Sequence, residues 1–313
     1  MSEPGTRRRG ETDARAEGAA RGALGAWAGT DPRALSRVGD GLSNHVFEAD
    51  FDDRRVIVRL RPAEEGAAFA RERRVIERVR RAGVPAPEPL ALGEEDGFAF
   101  MILRRLPGAI ARDHPERLRT LRELGALAKR RIHAIRTEGY GCGDGFGDDA
   151  PLGDWPGWLA QDYRAEARLD LLRRHQLITA ARADELRERL AEVAAWSAPP
   201  VLNHGDLRLK NVLVDDEGAI VAVLDWENSL SAPGPHWDLS IALHDLWVDQ
   251  VEAFLDGYGM DPAEVRAAAP VWRLFNTLNY VPEVQRALNE RDTEKLEQIR
   301  TRFSGALDLF GDG

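Results

Sequence analysis

One cysteine in 313 residues, Cys142, leaves no internal disulfide and no cysteine-based zinc site. Long apolar runs are also missing: no stretch of about 18 apolar residues occurs, so no membrane span is expected. Positive charge is in deficit. The formal net charge of −10 disfavours coating a nucleic acid or an anionic membrane, although it allows local basic clusters. The start, MSEPGTRRRGETDARAEG, has an arginine triplet with no apolar run behind it, so it reads as neither a secretory nor a twin-arginine signal. Cytoplasmic residence is the default expectation. Internal repeats and low-complexity blocks are absent too.

What is present suits a folded chain with a sizeable core: 43% hydrophobic residues, including eight Trp and ten Phe, against 31% charged. Residues 1–22 are charged and rich in Gly and Ala, and read as a flexible tail running into a short helix around Leu24 and Trp27. From Leu35 the texture changes. LSRVGDG, HVFEADF and RRVIVRL are short runs rich in β-branched and aromatic residues, separated by turn signals, and predict three antiparallel strands. EEGAAFARERRVIERVRRAG follows as a helix, with Phe69, Val75, Ile76 and Val79 near helical spacing and Gly83 as its stop. VPAPEPLAL and GFAFMILRRL predict two further strands, and Leu106-Pro107-Gly108 a hinge.

Beyond that hinge the pattern is mostly helical. One long amphipathic helix is expected from about Glu116 to Ile135, and two more over roughly 156–176 and 181–197, with a Gly/Asp-rich loop at 140–154. A β island, PPVLNHG and NVLVDDEGAIVAVLDW, contains a hairpin turning at Asp215–Gly218. From about Trp237 the chain reads as helical to its end. The expected architecture is α+β and bilobal. Residues 23–106 form a small antiparallel β lobe with one helix, and residues 107–313 a larger, mainly helical lobe.

The chemistry is concentrated in His204-Gly205-Asp206-Leu207-Arg208-Leu209-Lys210-Asn211 and, past the hairpin, Leu224-Asp225-Trp226-Glu227. Phosphoryl transfer needs little covalent work from a protein. It needs a base near the attacking hydroxyl, metal ions bridging the phosphates, and cations on the developing charge. An Asp and an Asn five residues apart, followed by a second Asp after a hairpin, match the catalytic loop and metal carboxylate of kinase signatures. Asp206 is then the candidate base, Asn211 and Asp225 the candidate magnesium ligands, and Arg208 or Lys210 a candidate cation on the transferring group. His204 reads as a structural residue that orders the loop, and Glu227 as a metal contact, a cap or a solvated carboxylate. The scattered tryptophans, among them Trp155, Trp158, Trp237, Trp247 and Trp272, read as core.

HGDLRLKNVLV…VLDWE resembles the aminoglycoside phosphotransferase and choline-kinase-like family, which has the protein-kinase-like fold and phosphorylates small molecules. The resemblance runs outward over about 35–245. GDGLSNHVF is similar to the family's phosphate-covering loop, which implies nucleotide contacts from Gly41, Ser43 and Asn44. VIVRL occupies the place of the strand bearing the phosphate-pairing cation. Arg59 stands there instead of the usual Lys, with Arg61 two residues on along the same face. FARERRVIERV resembles the helix with the partner acid, which implies Glu72 as the mate of Arg59. MILRRLPG sits where the nucleotide hinge belongs, implying Leu103 and Arg105. GPHWDLSIALHDL, with Asp238, is similar to the segment that buttresses the catalytic loop.

The expected activity is transfer of the γ-phosphoryl group of ATP, or GTP, to a small-molecule hydroxyl, with magnesium as cofactor and no nucleic-acid or membrane partner. The alternative is a catalytically silent nucleotide-binding module that regulates a partner. Such a module usually lacks the base or the metal carboxylate, and both are present here. A nucleotidyl transferase on the same fold is a third reading. The acceptor is not written in the motifs. Residues 226–313 carry 15 acidic and 7 basic residues, a balance that attracts a cationic acceptor or is simply a solvated acidic surface.

Overall fold

A computed structural model of the chain describes residues 4–38, 44–142, 153–244 and 246–303. The fold is α+β and kinase-like, with an antiparallel sheet and many helices. The chain divides into two compact units. Unit 1 takes residues 1–109, 212–216 and 220–227, and unit 2 takes 110–211, 217–219 and 228–313.

Unit 1 is built on a five-stranded antiparallel sheet of order β1-β2-β3-β5-β4. The strands are β1 (Ala34–Arg37), β2 (His45–Asp50), β3 (Arg55–Pro62), β4 (Pro89–Glu95) and β5 (Phe98–Arg104). β3 is central and uses both faces. Val56, Val58 and Leu60 join a core with Phe47, Ala49 and Ile102. The alternate residues Arg59 and Arg61 turn to the helix α2 (Ala67–Arg81), where both guanidiniums lie over the ring of Phe69. α2 buries Phe69, Glu72, Val75, Ile76 and Val79, one stripe at helical spacing.

The segment read as a flexible tail is instead the helix α1 (Pro4–Ala28). Ala16, Ala19, Ala20, Ala23 and Leu24 are buried, spaced i, i+3, i+4, i+7, i+8. Alanine is the best helix former, and its small side chain lets α1 lie close against the Phe47 and Val58 face of the sheet. Asp13 ties the helix down through Arg37 at 2.5 Å and His45 at 3.3 Å.

The chain passes from unit 1 to unit 2 within the two-residue strand β6 (Ala109–Ile110). In unit 2 the expected long helix over 116–135 is α3 (Arg117–Leu127), followed by a wide π turn over Ala128–Ile132. Gly257, on the helix Val248–Tyr258, meets α3 so closely that a Cβ there would lie 1.9 Å from the Arg122 carbonyl oxygen. The helix expected over 156–176 is likewise interrupted. A π turn at Trp158–Asp162 and the left-handed Arg164 precede the regular helix Ala165–Arg174. The helix Ala180–Ala194 is capped by the Thr179 hydroxyl, which accepts from the Arg182 amide.

A small sheet of order β7-β11-β8 leads into the His204–Asn211 loop: β7 (Gly141–Cys142), β8 (Pro200–Asn203) and β11 (Leu230–Pro233). The hairpin strands β9 (Val212–Val214) and β10 (Ile220–Val223) pair as expected and belong to unit 1. The core of unit 2 gathers Trp155, Trp158, Tyr163, Trp237 and Phe275 in stacked and edge-on contacts. Four of the five tryptophans read as core are buried; Trp247 is not, at 74% exposure. Residues 304–313, Asp245 and most of the Gly/Asp-rich loop at 140–154 lie outside the described residues.

Candidate functional site

The segment from Asn203 to Asn211 hangs from a fully buried carboxylate, Asp238. Asp238 sits in the first turn of the short helix His236–Ala242, and one oxygen accepts from the His204 amide at 2.7 Å. The other accepts from the Gly205 amide at 2.8 Å. Asn203 completes the clasp by accepting from the Asp238 amide at 3.1 Å and donating to the Gly234 carbonyl. Burying a charge is tolerable only with such hydrogen bonds. Gly205 is required on two counts. Its φ is +86°, and a Cβ would lie 1.9 Å from the Asn228 carbonyl oxygen.

His133, delivered by the π turn after α3, bonds Asp238 through Nε2 at 3.0 Å and the Tyr258 hydroxyl through Nδ1 at 3.0 Å. Burial, with Asp238 adding to it, pushes the Tyr258 phenol above its ordinary value, so it remains a neutral hydroxyl. His133, Tyr258 and Asn203 are supports of the Asp238 clasp that the motifs did not reveal. His204 is buried, and its Nδ1 lies 3.2 Å from the Asp206 amide that donates to it, so its ring orders the loop.

Asp206 itself is buried, with three side chains of its own loop on its carboxylate. Arg208 Nε lies 2.5 Å from Oδ1 and Lys210 Nζ 2.8 Å from Oδ2. Asn211 Nδ2 donates to Oδ2 at 3.0 Å and to the Asp206 carbonyl at 2.9 Å. Burial alone would raise the Asp206 pKa, but Arg208 and Lys210 outweigh it and hold the carboxyl below its ordinary value. With Nδ2 committed twice, the Asn211 amide has its hard carbonyl oxygen to offer a cation. Beside the loop, within unit 2, is a cavity of about 510 Å³ lined in part by Arg208, Lys210 and Trp247.

Unit 1 assembles a second cluster around Arg59. Its guanidinium lies 2.5 Å from Glu72, 3.1 Å from Glu227 and 3.4 Å from Asp225. Burial would lower the Arg59 pKa, but the carboxylates of Glu72, Asp225 and Glu227 reverse this and raise it. Burial pushes the Glu72 carboxyl up, against the pull of Arg59 and with help from Asp225 and Glu227. Glu227 is neither a cap nor solvated: besides Arg59 it takes Arg61 at 2.8 Å and the Asn44 amide at 3.2 Å. Asn44 in turn accepts twice from Arg61, at 3.1 and 2.9 Å. Asp225 has a left-handed backbone with φ of +63°. That conformation costs a non-glycine residue roughly 1–3 kcal/mol and clusters at functional sites.

Among the candidate residues, the structure thus gathers Asp206, Arg208 and Asn211 in unit 2. In unit 1 it gathers Asn44, Arg59, Glu72 and Asp225. Leu103 is buried on β5 opposite Ile57 and Pro89, and Arg105 pairs with Glu48 on β2 at 3.3 Å. These two are not part of the Arg59 cluster. Gly41 and Ser43 lie outside the described residues.

Residues 34–275 match the family model described as the phosphotransferase enzyme family. An aminoglycoside 3'-phosphotransferase of Streptomyces fradiae is 27% identical over 209 residues, 63% of this chain and 75% of that protein. Acyl-CoA dehydrogenase family member 10 of Mus musculus is 28% identical over 220 residues. That match takes in 64% of this chain but spans only 19% of the mouse protein's length. A thermostable mutant of aminoglycoside phosphotransferase APH(4)-Ia, solved as a ternary complex with ADP and hygromycin B, superposes with a TM-score of 0.69. It is 21% identical, and the alignment covers 94% of this chain and 99% of that one.

Proposed function

The chain belongs to the phosphotransferase enzyme family, and from that premise we propose that it moves the γ-phosphoryl group of ATP or GTP to a hydroxyl of a small molecule. The observation that carries the proposal is the Asp206 carboxylate. It is buried and kept ionised by Arg208 and Lys210, and those two loop neighbours line a cavity large enough for a small acceptor.

In the proposed reaction the acceptor hydroxyl gives its proton to Asp206 while its oxygen forms a bond to the γ-phosphorus. The bond from that phosphorus to the β,γ-bridging oxygen breaks, and the nucleoside diphosphate leaves with the electron pair. Arg208 and Lys210 face the charge that builds on the transferring group. Arg59, oriented by Glu72, holds the nucleotide phosphates, and the base of the nucleotide lies along Leu103 and Arg105. Magnesium, when bound, would supply positive charge to offset that of the phosphates. Asn211 and Asp225 would hold it through hard oxygen donors, which suit that ion. Among the described residues no cluster of three His, Cys, Asp or Glu side chains forms a complete cage. One carboxylate plus an amide is the donor set expected where phosphate oxygens supply the remaining positions.

The reading is supported by the similarity to an enzyme whose solved form contains ADP and hygromycin B. No helix among the described residues is long and apolar enough to cross a membrane, and nucleotide-dependent chemistry fits the cytoplasm. The test is incubation of purified protein with magnesium and ATP or GTP over a hydroxyl panel, read as an added phosphoryl mass on the acceptor. Transfer that disappears in Asp206→Asn supports the proposal. Nucleotide binding with no turnover on any acceptor would favour the silent module, and addition of a nucleotidyl mass would favour the third reading.

A further inference from the structure

The cavity that Arg208 and Lys210 help to line has a charge opposite to that of the chain as a whole. The protein carries −10 and its last 88 residues are the most acidic part, with 15 acidic and 7 basic residues over 226–313. Yet among the described residues the cavity is lined by four cations, Arg112, Arg117, Arg208 and Lys210, against one carboxylate, Asp113. The four cations are not equivalent. Arg208 and Lys210 are spent on Asp206, at 2.5 and 2.8 Å. Arg112 has only a loose, exposed pairing with Asp113 at 3.7 Å, and Arg117 makes no ion pair among the described residues. The remaining wall includes Trp247, which at 74% exposure is the most exposed large apolar side chain among the described residues.

We propose that this cavity takes an acceptor that is itself an anion: a hydroxyl compound with a carboxylate or phosphate group held by Arg112 and Arg117, and an apolar stem against Trp247. The proposal rests on the phosphotransferase reading for the fate of the hydroxyl, but the anion site stands on the cavity alone. A polycationic acceptor would bring its charges against Arg112 and Arg117, a like-charge juxtaposition that disfavours it. An anion meets two arginines suited to fork-like pairing with carboxylate or phosphate oxygens. This reverses the attraction that the acidic balance of residues 226–313 suggests: that charge is spread over the unit, while the lining of the cavity meets the ligand.

The experiment uses the full chain and a matched panel: ω-hydroxyalkanoates of four to ten carbons, their methyl esters, the corresponding ω-hydroxyalkyl phosphates and the ω-amino alcohols. Binding is measured by calorimetry without nucleotide, and transfer by mass with magnesium and ATP. The carboxylates or phosphates are expected to bind at least about 10-fold more tightly than esters and amino alcohols, with an affinity that weakens as salt is raised. The ranking of carboxylate against phosphate identifies the anion.

Both arginines are exposed, so Arg112→Glu/Arg117→Glu is expected to keep the parent melting temperature while its preference for anion over ester collapses by about 10-fold or more. Trp247→Ala is expected to weaken the longer members more than the shorter ones. Preferential binding of amino alcohols, absence of anion binding at millimolar concentration, or an unchanged preference in the double variant would each overturn the proposal. Anion binding that the double variant abolishes, with no transfer to any acceptor, would leave this site standing and sink the kinase reading. Transfer to amino alcohols alone would do the reverse.

Discussion

In the β-sheet unit Arg59 is a buried cation among three carboxylates; in the helical unit Asp206 is a buried carboxylate between two cations. The two clusters solve opposite problems. Around Arg59 the charges satisfy one another inside the protein, and the guanidinium is held charged and oriented. Around Asp206 the cations come from its own loop, Arg208 two residues away and Lys210 four, and are themselves about 35–40% exposed. The first arrangement should therefore be coupled to the stability of its unit, and the second to the proposed transfer. Substitutions should separate them along that line.

The largest effect is expected at Asp206. Asp206→Asn removes the base but keeps the side chain's size, so transfer should fall by about 10²–10⁴-fold in a chain that still folds, which circular dichroism checks. A loss below about 10-fold, read as kcat over the best acceptor, would mean that proton removal is not what this carboxylate does. Next is Arg59→Met, which strands Glu72 in a site where one of its oxygens already lacks a hydrogen-bond partner. Breaking a buried pair by removing one member costs about 3–5 kcal/mol. Arg61→Met should cost less, about 1.5–3 kcal/mol, because Glu227 keeps Arg59 at 3.1 Å. Denaturant unfolding of the two variants checks the order, and equal losses would remove the distinction between the arginines.

A smaller effect, readable in pH, sharpens the other half of the comparison. The Asp206 carboxyl titrates below its ordinary value in the folded chain. Its ionised form therefore persists through neutral pH, and transfer should fall only as the solution becomes acid enough to reach that lowered value. The same linkage gives stability that is complete above the unfolded carboxyl's value of about 4 and is lost as pH falls through the folded one. Arg208→Gln with Lys210→Gln removes what holds the pKa down, so the acid limb of kcat/KM should move toward neutral. An unmoved limb would show that these cations act on the transferring group and not on the base.

These two clusters were not equally legible in the sequence. Asp206, Arg208, Lys210 and Asn211 lie within six residues, so one loop's spacing carries their relation. Arg59 and Glu72 are 13 apart, and their pairing was readable only through family resemblance. Of the chain's 43 basic residues three are lysines, Lys129, Lys210 and Lys295, so arginine at 59 is what this composition supplies. Glu227 reaches Arg59 and Arg61 from 168 and 166 residues away, and nothing local marks it. His133 likewise meets Asp238 across 105 residues. The strand β11, which no local pattern marks, ends at Pro233 and exists because β8 pairs with it through four residues. The helix α1 was legible but hidden by composition: its alanine stripe has the spacing, while the surrounding Arg, Glu and Gly look like a tail.

The smallest effect is expected where many charges meet at the surface. Arg187, on the helix Ala180–Ala194, contacts Asp170 at 2.8 Å, Asp184 at 3.0 Å and Glu166 at 3.1 Å. By partner count it matches Arg59. The difference lies in solvent: the three carboxylates of Arg187 are 48–73% exposed, against 1% for Glu72. Water and salt screen the surface group, and each exposed pair is worth about 0–1 kcal/mol, so Arg187→Ala should cost no more than about 1 kcal/mol. Its effect should shrink further in high salt, while that of Arg59→Met should persist. If the two substitutions destabilise the protein equally and with the same salt dependence, burial is not what distinguishes the Arg59 cluster, and the argument that ties that cluster to the stability of its unit fails.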